Sequence, residues 1–255
     1  MTHWTEEMFV EHADVFERTL QGRVETADEE VEQLLELVAA HGVSPETALD
    51  VACGIGRHTV EFAKRELTVH GLDISPQYVD SARERAVAED VEERVTVEVG
   101  DMRELDALEG TYDLVVNMWT AFGYFDDATN EAVAAGFRDR VADDGALVMD
   151  LANKEALMDD YRPSSAGFDD GDLHVERREY TPETGRLETT FTLFHQDGES
   201  YEFVGEVEWD LRLYSPAELR RLLERAGFSE VSLYAGLDGS ELERDSHRLV
   251  VVARP

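Results

Sequence analysis

The sequence predicts an α/β fold: a doubly wound, largely parallel sheet with an antiparallel β insertion ahead of the last helix. Three observations carry this. The apolar Ala48-Leu49 leads into Asp50-Val-Ala-Cys-Gly-Ile-Gly-Arg-His58 and then into a helical pattern, which reads as strand, tight glycine turn, helix. Strand and helix patterns then alternate as far as residue 151, the rhythm of right-handed β-α-β crossovers. Over 172–213 that rhythm stops, and extended segments separated by turn residues replace it.

In order along the chain, Met8, Phe9, Val15, Phe16 and Leu20 predict an amphipathic helix over 5–20, and Val31, Leu34, Leu35 and Val38 a second over 25–41. Ser44-Pro45 separates these from a first strand at 47–52. A helix at 57–66 and a strand at 67–73 follow. Ser75 is placed to cap a helix over 76–89, with Pro76 at its first position. Strand 94–99 alternates Val95, Val97 and Val99 and ends at Gly100-Asp101-Met102. Strand 112–118, helix 127–142 and strand 146–151 complete the series. In the insertion, Pro182-Glu-Thr-Gly185 and Gln196-Asp-Gly198 mark turns between strands at about 173–181, 186–196 and 200–213. Ser215-Pro216-Ala-Glu218 opens a helix that Ala226-Gly227 closes, and strands at 228–234 and 247–253 end the chain. The 255 residues read as N-terminal helices over 1–44, a candidate lid, and one domain over 45–255 that carries the insertion at about 172–213.

Gly54 and Gly56 lack a Cβ, so the turn after the first strand can take positive φ and let a ligand approach the backbone. The N–H groups at the start of the next helix face that ligand. Asp73 ends the second strand 17 residues after Gly56, close to the spacing at which an acid accepts hydrogen bonds from a ribose. The pair describes a nucleoside-binding crevice. A dinucleotide fingerprint would need a third glycine where Thr59 stands, and Asp50 would repel a pyrophosphate but suits an ammonium.

With DVACGIGRH followed by GLDIS, the chain resembles class I S-adenosylmethionine-dependent methyltransferases over nearly its whole length. The resemblance implies a Rossmann-like, seven-stranded mixed sheet whose last two strands form an antiparallel edge hairpin. It implies S-adenosylmethionine as cofactor and S-adenosylhomocysteine as product. By the same resemblance Asp50, Gly54 and Gly56 hold the methionine end, Asp73 takes the ribose hydroxyls, Ile74 packs on the adenine, and Ala52 and Arg57 are further cofactor contacts. Asp101 accepts from the adenine amine with Met102 beside the ring, and Asn117 lies near the cofactor. The β insertion resembles the antiparallel lid of small-molecule N-methyltransferases, so the acceptor is expected to be a small molecule, with nitrogen favoured over oxygen. Retained cofactor binding without turnover is the alternative. A nicotinamide-dependent oxidoreductase is the weaker one, given Thr59 and only two lysines, Lys64 and Lys154.

Methyl transfer from a sulfonium needs alignment and exclusion of water rather than a nucleophilic triad. Asn117-Met-Trp-Thr-Ala-Phe-Gly-Tyr-Phe125 follows the fourth strand, and such strand ends line the ligand crevice of an open α/β sheet. Trp119, Phe122 and Tyr124 are therefore candidate walls of the transfer site, and core packing is the competing role for each. Arg177 and Tyr214, on the insertion, are further pocket candidates, while Tyr124, His58 and His174 are the candidate catalytic side chains. Arg177 and Arg178 cannot both face inward from one regular strand.

Acidic residues outnumber basic ones 58 to 23, for a net charge of −35, and they are spread along the chain. Periodic apolar segments persist throughout, so the charge does not signal disorder. It signals a surface adapted to molar salt, where the Debye length is about 3 Å, and hence a cytoplasmic protein of an extreme halophile. No basic stripe favours nucleic acid. No apolar run reaches membrane-spanning length and the N-terminus does not read as a signal peptide. Cys53 is the only cysteine, which excludes an intrachain disulfide, and no cysteine–histidine cluster suggests a metal. The salt adaptation predicts loss of folded structure in dilute buffer. Circular dichroism across a KCl series checks this, and a native spectrum without salt would refute it.

Overall fold

The computed structural model describes residues 3–169 and 172–255. The chain begins with α1 (Trp4–Glu6), a π-helical turn (Glu7–Glu11), α2 (Ala13–Gln21) and α3 (Ala27–Ala40). It continues through β1 (Thr47–Val51), α4 (Arg57–Lys64), β2 (Thr68–Asp73), α5 (Pro76–Ala88), β3 (Val95–Val99), β4 (Tyr112–Asn117), α6 (Asp127–Arg140) and β5 (Val141–Ala152). After α7 (Lys154–Asp159) come β6 (Ser164–Asp169), β7 (Asp172–Thr181), β8 (Arg186–Asp197) and β9 (Ser200–Arg212). Helix α8 (Pro216–Ala226), β10 (Glu230–Tyr234) and β11 (Arg248–Arg254) complete it.

Alternation along the strands builds two apolar layers. In β4, Val115 enters one core while Leu114 and Val116 enter the other. In β5, Leu147 and Met149 oppose Ala146 and Val148, and β11 divides in the same way. Strands buried on both faces must be covered by helices on both. Here α6 and α8 cover one face with Phe137, Leu219 and Leu222, and α3 and α4 cover the other with Leu34, Val38 and Phe62. The sheet order is β10-β11-β5-β4-β1-β2-β3. β1, β2, β3, β4 and β5 pair in parallel, and β11 is antiparallel to both its neighbours. The strand order reverses between β1 and β4, the point at which open α/β sheets bind ligands.

The helix signals act as their chemistry requires. The Ser75 hydroxyl accepts from Tyr78 N–H, and Pro76 occupies the first turn of α5. Ser215 and Glu218 form a reciprocal capping box on α8, which Gly227 ends in the left-handed region at φ 105°.

Three expectations need correction. The insertion has four strands, in the order β6-β7-β8-β9, and starts ahead of 172. Its first strand, Ser164-Ser-Ala-Gly-Phe-Asp169, carries small polar residues with little strand signal and pairs only with β7. The helix expected over 5–20 breaks at His12 (φ −121°, ψ 33°), where the π-helical turn ends and α2 begins. Strand β5 starts at Val141 rather than 146, with a register shift against β4 between Tyr112 and Leu114.

Gly56 (φ 75°) sits where α4 meets α5, and a Cβ there would lie 2.7 Å from Ala82 Cβ. Both the backbone and the contact exclude a side chain. Gly56→Ala is expected to lower unfolding free energy by about 2 kcal/mol. A chemical-denaturation midpoint equal to wild type would refute the steric reading.

Candidate active site

The turn after β1 is left-handed at Ala52 (φ 60°), Gly54 (φ 55°) and Gly56. Glycine adopts this freely; at Ala52 it costs about 1 kcal/mol, strain stored in the wall of a crevice. One buried carboxylate fixes the turn. Asp73 Oδ2 accepts from Gly54 N–H at 2.7 Å, and its Oδ1 accepts from Ser75 N–H at 2.9 Å. Burial pushes the Asp73 carboxyl up to about 6, against the pull of those two backbone donors. An ionised carboxylate offers about four acceptor positions, so Asp73 keeps capacity for hydroxyl donors in the crevice it lines.

Asp50, Gly56 and Asn117 are not among the residues that line this crevice. Asp50 lies beneath the turn and accepts from the Thr59 hydroxyl at 2.6 Å. Burial raises its carboxyl pKa, opposed by His58 and by that bond. Thr59, which breaks the dinucleotide fingerprint, is thus the partner of a buried acid. Gly56 serves the packing of α4 on α5. Asn117 Nδ2 donates to Val51 O and Ala121 O, both at 3.1 Å, tying the end of β1 to the loop after β4.

Arg57 and His58 line the crevice but are anchored behind it. Arg57 Nη1 donates to Glu30 Oε2 at 2.6 Å, and His58 Nε2 lies 2.6 Å from the same oxygen. Burial would raise Glu30, but the His58 hydrogen bond and the charges of His58 and Arg57 prevail and hold it down at about 2. His58 is therefore a positioned residue on a strut between α3 and α4. Cys53 packs against Gly71, and burial pushes its thiol well up, so it offers no thiolate nucleophile at neutral pH.

Ile74, Asp101 and Met102 form the wall beyond Asp73. Burial would raise the Asp101 carboxyl, but Arg103 holds it below its usual value through hydrogen bonds from its backbone N–H (2.8 Å) and guanidinium. Thr5, Phe9, Phe16 and Leu20 close the crevice from the N-terminal segment. That segment is fastened by Trp4 Nε1–H to Tyr124 O (3.3 Å) and by the Tyr78 hydroxyl to Ala13 O (2.9 Å).

The loop after β4 is the second strained element. Trp119 (φ 57°) and Thr120 (φ 67°) are consecutive left-handed residues, held by Thr120 N–H to Asp150 O (2.7 Å) and Ala152 N–H to the Thr120 hydroxyl (2.9 Å). The Asn130 side chain accepts from Phe125 N–H through Oδ1 (3.2 Å) and donates from Nδ2 to Phe125 O (2.8 Å). A Cβ on Gly123 would lie 2.3 Å from Arg212 O, so glycine alone lets β9 pass.

A second chamber opens between this loop, the N-terminal segment and the inner face of the insertion, and Phe9, Phe16, Trp119 and Tyr124 belong to both cavities. His174 lines the chamber and stacks on Phe191 at 5.7 Å. Phe122 and Tyr214 do not reach either cavity: they pack together at 5.6 Å in the core under α6 and α8, and burial pushes the Tyr214 phenol up to about 12. Arg177 faces outward to Glu206 at 3.3 Å, and the strand's alternation turns Arg178 inward instead. Burial also raises the Tyr124 phenol, so it stays neutral and can only donate or accept a hydrogen bond. Glu30, Tyr78 and Trp209 were not foreseen. Glu30 looks like any other acid of an acidic helix, and nothing local distinguishes it.

Among the described residues no group of histidine, cysteine and acidic side chains is arranged to hold a metal, and no helix is long and apolar enough to cross a membrane.

Residues 48–145 match the family model described as "Methyltransferase domain". A curated relative, dTDP-3-amino-3,4,6-trideoxy-alpha-D-glucopyranose N,N-dimethyltransferase of Streptomyces venezuelae, is 31% identical over 143 residues, 55% of this chain and 57% of that one. The chain thus spans a little over half the length of that relative. Its fold is that of solved S-adenosylmethionine-dependent methyltransferases. It superposes on one from Clostridium acetobutylicum with TM-score 0.79 at 14% identity, over 96% of this chain and 97% of that one. It superposes on the S-adenosylmethionine-bound amino pentose methyltransferase CalS10 of Micromonospora echinaspora with TM-score 0.68 at 22% identity, over 94% and 97%.

The Glu30 strut has a pH signature. A carboxyl held at about 2 when folded, against 4.5 otherwise, adds stability that is full above about pH 5 and is lost as pH falls through 4.5 toward 2. Glu30→Gln, which leaves Arg57 and His58 half-paired, is expected to cost roughly 2 kcal/mol at pH 7. The gap between wild type and variant should narrow below pH 4.5 in denaturation curves, and a constant gap down to pH 2 would contradict the strut.

Proposed function

We propose that this protein transfers the methyl group of S-adenosylmethionine to an amino group of a small-molecule acceptor by in-line displacement. The observation that carries the reading is the junction: a crevice at the strand-order reversal opens onto a second chamber across four shared aromatic side chains. Donor and acceptor held on either side meet at an apolar, water-poor boundary, which alignment catalysis requires. When bound, the cofactor supplies an activated methyl on a sulfonium, whose leaving group is neutral.

The crevice residues fit that cofactor. Asp73 has spare acceptor positions for the ribose hydroxyls, and Ile74 and Met102 offer apolar contact for the adenine. Ala52 and Gly54 present a left-handed backbone to the methionine end. Asp101 can accept from the adenine amine while still paired with Arg103. Nitrogen as the accepting atom is supported by the amino-sugar dimethyltransferase relative. Tyr124 and His174 orient the acceptor amine rather than form a covalent bond with it. A nicotinamide dinucleotide is disfavoured by Asp50, whose carboxylate lies just beneath the turn. The N-terminal segment acts as the lid, since Thr5, Phe9, Phe16 and Leu20 close the crevice from outside the sheet that builds it. The acidic surface is an adaptation to molar salt in a halophile's cytoplasm.

Calorimetric titration in about 2–3 M KCl tests the reading directly. S-adenosylmethionine and S-adenosylhomocysteine are expected to bind and NAD⁺ is not. Asp73→Ala removes a charged acceptor worth about 3 kcal/mol, roughly a hundredfold in affinity. Binding of NAD⁺ alone would overturn the assignment. Binding without methylation of any amine in a broad panel would leave a binding protein in its place. Removing residues 1–21 is expected to weaken cofactor affinity at least tenfold, and unchanged affinity would sink the lid.

A further inference from the structure

The second chamber inverts the charge balance of the chain. Acids outnumber bases 58 to 23 overall, yet the chamber lining holds Arg18, Arg23, Arg178 and Arg248 against Glu25, Asp172 and Glu176. A solvated surface in this protein would be acidic. An arginine-rich lining is not explained by salt adaptation.

The inner face of the insertion narrows the position. On β8 and β9 that face is mostly apolar, with Phe191, Leu193 and Trp209 in the lining. On β7 alone it is polar: His174, Glu176 and Arg178 stand at alternate positions and all three line the chamber. A strand facing a core would carry apolar residues there, as its neighbours do. In register with Arg178 is Thr189, buried, whose hydroxyl has no hydrogen-bond partner among the described residues. Arg178 gives one N–H to Glu176 and has donors in its fork left over. From the N-terminal side, the Arg23 guanidinium lies 5.5 Å over the Trp119 ring and has no carboxylate partner among the described residues. Arg18 and Arg248 are already paired, with Asp172 at 3.5 Å and with Asp150.

We propose that the acceptor carries an anionic group, a carboxylate or a phosphate, beside its amine, and that Arg178 and Arg23 receive it in this chamber. Arginine suits both anions because its planar fork bonds either one bidentately. His174 and the Glu176 Oε1 oxygen, on the same face, are then left to contact the amine, while Glu176 Oε2 accepts from Arg178 and from the Ser165 hydroxyl. This rests on the chamber being the acceptor site of the proposed methyl transfer.

All three tryptophans, Trp4, Trp119 and Trp209, line the chamber, so intrinsic fluorescence reports its occupancy without turnover. The probes are matched pairs that differ by the anion: ethylamine against β-alanine for a carboxylate, and glucosamine against glucosamine 6-phosphate for a phosphate. The salt is the lowest at which the fold persists. At least one anionic partner is expected to bind tenfold or more tighter than its neutral match, and the pair that does so identifies the anion. Arg178→Gln should remove that preference. Arg177→Gln, one residue along and facing outward, should keep it. If Arg178→Gln fails to fold by circular dichroism, Arg23→Gln takes its place. No preference within either pair, or equal losses in Arg177→Gln and Arg178→Gln, would overturn the proposal. The calorimetric titration with S-adenosylmethionine is separate: failure there with an intact anion preference removes the methyl-transfer reading and leaves the anion site standing.

Discussion

The Asp73 carboxylate is the contact on which the site depends. It takes one N–H from the turn after β1 and another from the start of α5, and so locks two adjacent strand ends to each other. A buried acid is costly unless it is paired, and the raised pKa measures what remains after two backbone hydrogen bonds have offset part of that cost. The group is therefore held ready for further donors. In the proposed function a ligand offering a pair of hydroxyls would complete its coordination, and binding would relieve a deficit built into the fold. Above about pH 6 the carboxylate is charged and this deficit is largest. As pH rises from the unfolded value near 3.8 through 6, the group withdraws stability from the folded protein.

Strain elsewhere follows the same logic. Ala52, Trp119 and Thr120 all sit in the left-handed region, and all lie at the carboxyl ends of β1 and β4. The two-sided core holds those strands rigidly enough to impose these conformations. Trp119 gains from two guanidinium groups, Arg23 and Arg57, near its ring faces at 5.5 and 5.9 Å. It is thereby fixed at the boundary between crevice and chamber. The N-terminal segment then lines both cavities at once: Met8 of the π-helical turn and Val15 of α2 pack on the insertion, while Phe9 packs on Tyr78 of α5 and Glu17 accepts from the Ser81 hydroxyl.

Much of this was legible in the residues because it is local. A glycine turn between an apolar strand and a helix, an acid at the next strand end, and serine-proline caps each carry their geometry within a few positions. The helix-covered sheet followed from the β-α rhythm. What was not legible depends on phase or on distant partners. Arg177 and Arg178 are adjacent, and on a strand with polar residues at most positions no apolar stripe says which faces in. Phe122 and Tyr214 are aromatic like their pocket-lining neighbours, and only the α6–α8 packing draws them into the core. The weak edge strand β6 is specified by its pairing with β7 rather than by its own composition. Glu30 acquires its role only when α3 packs on α4.

The most direct measurement of the Asp73 role is the proton balance of cofactor binding. S-adenosylhomocysteine would be titrated calorimetrically at pH 6 in buffers of different ionisation enthalpy. A carboxyl that titrates near 6 when free, and is held ionised by ribose hydroxyls when bound, must release about half a proton at that pH. Release of that size, absent at pH 8, is the expected result. Binding with no proton release at pH 6, or with uptake, would mean that Asp73 does not receive the ribose.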